Sequence, residues 1–314
     1  MTYIIAEVGG NHDGNLETAL ELIHEAAQCG CDAVKFQSYK SDSLVHPLEK
    51  SLPQAKKAGY DLQIERFRDL EFTYDEWDII VQVCEEEEID FLTTPFDLES
   101  LSYFKDKMKY IKISSGDLTY HRLLRAVAET VKPVILSTGM ATYPEINEAS
   151  LFFNPDRLTV CHCVSIYPCP DSEANLHALS TLKSIYRSVG YSDHTEGLTA
   201  CLAASYVGLD VIEKHFTLEH KNYGDHPLSL VPYEMKELVF HVKRINEMLG
   251  DIKPAYNEPR KTMRRSAYAK HNIELGQIIT ENDVIELRPQ KGRRADKVIG
   301  TRATKNYKRL DLIG

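Results

Sequence analysis

The strongest constraint in this sequence is a regular alternation of short β-branched runs with amphipathic helical runs, sustained to about residue 250. Apolar strand candidates fall at residues 3–9, 32–38, 89–95, 110–115, 133–139, 158–165, 189–194 and 211–216. Between them, helical spacing predicts helices over 15–28, 74–87, 98–105, 118–129, 175–186, 197–207 and 232–249, with a weaker candidate at 143–153. Asn15 is placed to cap the first helix and Gly30 to end it. A strand followed by a helix, repeated in this way, predicts an α/β (β/α)8 TIM barrel over residues 1–250. A doubly wound open sheet is the main rival.

Two segments depart from the alternation. Residues 39–72, with Pro47, Pro53 and many charges, are too long for an ordinary strand-to-helix loop. They leave the carboxyl end of the second strand, so they would overhang the face where barrels carry their chemistry. Residues 251–262 read as a linker holding Pro254 and Pro259. Residues 263–314 read as a small β-rich module with strand-like pieces at 266–269 and 284–288.

Charge and composition exclude several classes. Lys and Arg number 37 against 47 Asp and Glu, a formal charge of −10, which argues against a general nucleic-acid binder. No apolar run approaches a membrane span, and the start of the chain enters a strand pattern without a basic leader. The seven Cys include no Cys-x-x-Cys pair, so reduced thiols in a cytoplasmic protein are expected.

The predicted strand ends gather reactive groups: Glu7 with Asn11 and His12; Lys35 and Gln37; Thr93 and Thr94; Lys112, Ser114, Ser115 and Asp117; Ser137 and Thr138; Ser165 and Tyr167; Ser192, Asp193 and His194; Glu213, Lys214 and His215. A lysine in an apolar strand is costly to bury unless paired, so Lys35 and Lys112 are either functional or salt-bridged. The hydroxyls could simply satisfy loop backbones. As a ring around two ammonium groups they suit a phosphate or carboxylate. His194 and His215 end consecutive strands, about 4.8 Å apart in a sheet, where two imidazoles can share one divalent ion. Two ligands leave positions for water and substrate, which suits catalytic Mn2+ or Mg2+ better than structural zinc. Cys161-His162-Cys163 alternates faces of one strand, so those cysteines, and the other five, read as packing.

Several stretches together resemble the sialic acid synthase family. They are Ile5-Ala6-Glu7-Val8-Gly9-Gly10-Asn11-His12-Asp13-Gly14, Val34-Lys35-Phe36-Gln37, Thr94-Pro95-Phe96-Asp97 and Lys112-Ile113-Ser114-Ser115-Gly116-Asp117. Others are Leu136-Ser137-Thr138-Gly139-Met140, His162-Cys163-Val164-Ser165-Ile166-Tyr167-Pro168, Gly190-Tyr191-Ser192-Asp193-His194-Thr195 and Glu213-Lys214-His215-Phe216-Thr217. The tail, with Ile273-Glu274-Leu275-Gly276-Gln277 and Leu287-Arg288-Pro289, resembles the family's antifreeze-like (SAF) domain.

The resemblance implies condensation of phosphoenolpyruvate with an N-acetylhexosamine, N-acetylmannosamine by family frequency, giving a nine-carbon 2-keto-3-deoxy acid and phosphate. It implies that Lys35, Thr94, Lys112, Ser115, Ser137 and Ser192 hold phosphoenolpyruvate, and that His194 and His215 hold Mn2+ or Mg2+. Glu7, Gln37, Tyr167 and Asp225 would contact the sugar. Arg288 would reach the partner's site in a domain-swapped homodimer.

Two residues depart from the family pattern. Asp117 stands where sialic acid synthases have Glu, near the position that handles water. Ser165 stands where the neuraminate enzymes usually have Asn, as in related nonulosonate and spore-coat-type members, which leaves legionaminate, pseudaminate or spore-coat polysaccharide synthesis as the alternative. A lysine-dependent aldolase and a non-catalytic carbohydrate-binding or assembly protein remain further readings.

Overall fold

The structure is a computed structural model describing residues 1–250 and 262–314, which fall in two units dividing after Gly250. In the first unit the chain runs β1 (Tyr3–Gly9), α1 (Leu16–Gln28), β2 (Ala33–Ser38), α2 (Ser41–Leu44), α3 (Pro53–Lys57), α4 (Gln63–Leu70) and α5 (Tyr74–Glu86). It continues β3 (Asp90–Pro95), α6 (Leu98–Phe104), β4 (Ile111–Ile113), α7 (His121–Glu129), β5 (Val134–Ser137) and α8 (Tyr143–Ser150). The last elements are β6 (Leu158–Cys163), α9 (His177–Ile185), β7 (Ser188–Asp193), α10 (Thr199–Ser205), β8 (Val211–His215) and α11 (Pro232–Leu249).

The eight strands form one sheet in the order β3-β2-β1-β8-β7-β6-β5-β4, every paired neighbour parallel. β3 packs on β4 and brings the sheet round on itself, so the fold is a TIM barrel and not the open doubly wound sheet. Strand interiors such as Ile4, Ile5, Val34, Ile135 and Val160 have no exposed surface. That double-sided burial is why the strands read as apolar runs.

Helix starts follow local chemistry. Asn15 Oδ1 accepts the Thr18 N–H at 2.9 Å and caps α1. Thr73 and Glu76 close a reciprocal box at the start of α5, and Thr142 and Glu145 do the same for α8. The α5 face carries Trp77 into an aromatic cluster with Phe36, Phe72 and Phe104.

The segment at 39–72 is not an unstructured connection. It folds as the three short helices α2, α3 and α4. The helix expected from residue 118 starts instead at His121, after a turn of 3-10 helix at Ser115–Asp117.

The second unit pairs β9 (Ser266–Ala269) with β10 (Val284–Leu287) as an antiparallel ladder. Its own small core contains Ala267, Ile273, Ile279, Val298, Tyr307 and Ile313. Except for Thr262, the segment expected as a linker lies outside the described residues. No described helix is long and apolar enough to cross a membrane.

Candidate active site

The carboxyl ends of the strands surround one cavity of about 570 Å3. Its lining takes Glu7, Lys35, Gln37, Thr94, Lys112, Ser115, Ser137, Ser165, Tyr167, Ser192, His194, His215 and Asp225 from the residues singled out in the sequence. Strand alternation explains the selection. On β8, Glu213 and His215 face inward, while Lys214 between them faces outward onto Asp193. On β1 the register breaks between Glu7 and Gly9, and this bulge bends the strand end. A Cβ at Gly9 would sit 3.3 Å from Glu7 Oε1, 3.4 Å from Asp225 Oδ2 and 3.5 Å from Gln37 Nε2. Three of the expected sugar contacts therefore converge on one small residue.

The floor is a buried charge network. Lys35 Nζ stands 2.6 Å from Glu7 Oε2 and donates to Thr94 Oγ1 at 3.1 Å. Lys112 Nζ donates to Glu213 Oε1 at 3.1 Å, and Ser192 Oγ donates to the same oxygen at 2.9 Å. Lys35 also lies 3.8 Å from Glu213 Oε2. Burial pushes the Glu7 carboxyl up, more than Lys35 can offset. At Glu213 burial acts upward too, but Lys112 and Lys35 outweigh it and hold that carboxyl below its usual range. Lys112 is in turn held more basic than usual, because Glu213 overcomes the cost of burial. Glu213 stands at its predicted strand end, where the sequence alone assigns it no role. The two-residue spacing to His215 was the signal that puts both in the cavity.

The two imidazoles meet at the edge of this network, ring centres 5.4 Å apart. The His194 Nδ1–H donates to the Val164 carbonyl at 2.7 Å, which leaves Nε2 as the lone-pair nitrogen. His215 Nδ1 is buried with no hydrogen-bond partner. Burial pushes the His215 pKa down to about 3, so this ring is neutral at ordinary pH. At His194 burial acts downward, but the Cys163 sulfur and the Val164 carbonyl raise the pKa overall. Among the described residues no third His, Cys, Asp or Glu completes a metal-binding cluster. Two neutral-capable imidazoles, one tethered through its far nitrogen and one with a partnerless nitrogen, fit a divalent ion with open positions.

Ser137 Oγ and Ser165 Oγ are likewise buried without a hydrogen-bond partner. Ser115 Oγ accepts the Gly139 N–H at 2.9 Å.

Two placements, those of Asp117 and Cys163, differ from what the sequence leads one to expect. Asp117 does not line the cavity: its carboxylate accepts the Ser114 hydroxyl at 2.6 Å, and Ser114 is the lining residue. Burial raises the Asp117 carboxyl. Arg288 lies in the second unit, exposed, with Nη1 3.7 Å from Met263 Sδ. Cys163 is not only packing, since it lines the cavity with Sγ 3.7 Å from His194 Nδ1. All seven cysteines are free and buried. His162 is a satisfied structural residue, with Nε2 donating to the Ala174 carbonyl at 2.9 Å.

Residues 22–254 match the NeuB family. The chain belongs to that family. An N,N'-diacetyllegionaminic acid synthase of Campylobacter jejuni is 39% identical to it over 99% of this chain and 98% of the relative. One from Legionella pneumophila is 36% identical over 97% and 91%. A crystal structure of an N-acetylneuraminic acid (sialic acid) synthetase from Leptospira borgpetersenii in complex with citrate superposes with a TM-score of 0.74 at 35% identity. That match covers 82% of this chain and 88% of the other. NeuB-family synthases condense phosphoenolpyruvate with a sugar, and this protein is such an enzyme. The reading as a non-catalytic barrel is thereby set aside.

Proposed function

We propose that this NeuB-family enzyme joins phosphoenolpyruvate to a 2,4-diacetamido-2,4,6-trideoxyhexose, giving a legionaminic-acid-type 2-keto-3-deoxy acid and phosphate. The observation that carries the reaction is the convergence of Lys35, Lys112 and the Ser/Thr ring on one buried floor, with an imidazole pair at its edge. The acceptor rests on the two legionaminic acid synthases matching nearly the whole chain, and on Ser165 in place of Asn. Both favour that acceptor over the N-acetylmannosamine that family frequency suggests.

In this reading Lys35 and Lys112, with Thr94, Ser115, Ser137 and Ser192, bind the carboxylate and phosphate of phosphoenolpyruvate. Gln37, Tyr167, Asp225 and Glu7 orient the sugar so that its aldehyde carbon faces the methylene carbon. The carbon–carbon bond forms between those atoms. Water then adds to the resulting oxocarbenium carbon, and phosphate leaves with its bridging oxygen. Asp117 draws a proton from that water through the Ser114 hydroxyl it accepts. His194 and His215 would hold the Mn2+ or Mg2+ ion, which when bound supplies Lewis-acid polarisation of the aldehyde oxygen.

At Lys112 the aldolase reading is disfavoured by charge. An imine-forming lysine needs a depressed pKa, whereas Lys112 is raised. We assign residues 263–314 as the antifreeze-like domain, with Arg288 completing the partner's cavity in a domain-swapped homodimer. The free buried thiols suit a cytoplasmic enzyme. A phosphate-release screen over N-acetylmannosamine, 2,4-diacetamido-2,4,6-trideoxyhexoses and simple hexoses, with Mn2+ or Mg2+ present, tests the reading. Turnover fastest with the diacetamido sugar supports it, and preference for N-acetylmannosamine overturns the acceptor.

A further inference from the structure

Arg66 is a charged residue of the cavity lining without a part in the proposed steps. It sits on α4, inside the long segment that follows β2, and lines the main cavity. It also lines a side chamber of about 350 Å3, whose wall includes Asn11, Tyr60, Tyr223 and His226. Gly10, Arg66 and Leu70 are common to both spaces, so Arg66 stands at the doorway between them.

The other charged groups of α4 are engaged. Glu65 accepts the Leu62 N–H at 2.9 Å, Arg68 pairs with Asp42 at 2.7 Å, and Asp69 accepts the Tyr60 hydroxyl at 3.0 Å. Among the described residues no hydrogen bond or ion pair engages Arg66. Its guanidinium lies close against two glycines. A Cβ at Gly10 would lie 3.2 Å from Nη2, and one at Gly224 would lie 3.3 Å from it. Gly224 immediately precedes Asp225, so the guanidinium lies beside the end of the cavity assigned to the sugar.

Asn11 supplies the complementary group. Its side-chain nitrogen donates to the Phe216 carbonyl and to Ser229 Oγ, both at 2.8 Å, which fixes the amide orientation. Its Oδ1 is buried with no hydrogen-bond partner. A guanidinium with free donors and, on a residue of the same chamber wall, a carboxamide whose acceptor has no partner match the two halves of an acylamino group: C=O for the first, N–H for the second.

We infer that Arg66 is a specificity-determining residue that binds the acyl carbonyl of the acceptor's second acylamino group, the one remote from the reacting aldehyde. The inference deepens the acceptor assignment above and rests on it. An N-acetylhexosamine carrying one such group would not engage Arg66.

The test compares wild type, Arg66→Leu and Arg66→Lys in steady-state phosphate release. The acceptors are a 2,4-diacetamido-2,4,6-trideoxyhexose, N-acetylmannosamine and N-acetylmannosamine 6-phosphate. Arg66→Leu is expected to lower kcat/KM for the diacetamido sugar about 30-fold, and for N-acetylmannosamine less than about 3-fold, with the KM for phosphoenolpyruvate unmoved. Arg66→Lys is expected to recover part of the loss. If wild type prefers the diacetamido sugar but Arg66→Leu lowers both sugars alike or neither, the Arg66 assignment falls and the acceptor stands. A wild type that prefers N-acetylmannosamine overturns both. An Arg66-dependent preference for the 6-phosphate also overturns both, making Arg66 a phosphate ligand.

Discussion

The Lys214 ammonium lies 2.9 Å from Asp193 Oδ2, and neither side chain has any exposed surface. The pair sits on the outer face of the strand ends whose next residues, His194 and His215, meet inside the barrel. Asp193 is further held by the Thr195 N–H at 2.9 Å and the Tyr191 hydroxyl at 2.9 Å. It is a positioning group, and the ion pair locks the β7 and β8 ends together behind the imidazoles.

Removing one partner would leave a buried charge unpaired, at a cost of about 3–5 kcal/mol. Lys214→Met and Asp193→Leu are each expected to lower the unfolding free energy by that amount in urea titrations. The double variant is expected to lose clearly less than the sum of the two single losses, because the unpaired charge is gone while the Thr195 N–H and Tyr191 hydroxyl still lack their acceptor. Additive losses in the double variant would contradict the pairing.

The Asp117–Ser114 contact predicts a shared proton path. Asp117→Asn and Ser114→Ala are each expected to lower kcat about 10- to 100-fold with little change in KM for phosphoenolpyruvate. The double variant is expected to be no slower than the slower single one. Multiplying losses, measured under the same saturating conditions, would place the two residues in separate roles.

The strands were legible because burial on both faces leaves continuous apolar runs, and their carboxyl ends gave most of the cavity lining directly. The 39–72 segment was harder to read. Its helices are short, two begin without a side-chain cap, and Pro47 and Pro53 interrupt the pattern. Whether Arg66 reaches the site depends on how α4 docks over the mouth, which no local periodicity encodes. Asp117 shows a subtler limit: after β4, Ser114, Ser115 and Gly116 line the cavity while the Asp117 carboxylate stands behind the Ser114 hydroxyl, an arrangement set by the 3-10 turn and not by strand alternation. The weak candidate at 143–153 forms α8, whose start is held by the Thr142–Glu145 box.

His12 gives a stability prediction with a definite sign. Its ring is buried, stacks on Phe72 with centres 4.4 Å apart, and Nδ1 accepts the Gly14 N–H at 3.1 Å. Burial lowers its pKa to about 4 from the ordinary 6.5. A depressed folded pKa means that the contribution is whole above pH 6.5 and is lost as pH falls through about 4. The loss is up to about 3 kcal/mol. Thermal unfolding from pH 7 to pH 4 is expected to show a shallower acid decline in His12→Gln than in wild type. Equal slopes would remove His12 from the acid response.

The central claim is that phosphoenolpyruvate loses its phosphate by carbon–oxygen cleavage, only after joining an amino sugar in the Lys35–Lys112 cavity. Phosphoenolpyruvate labelled with 18O at the bridging position tests it in one mass-spectrometric measurement on metal-replete enzyme. Labelled phosphate is predicted to appear with the diacetamido sugar, and not without it or with Lys112→Met. Unlabelled phosphate, or release without any acceptor, would contradict the account.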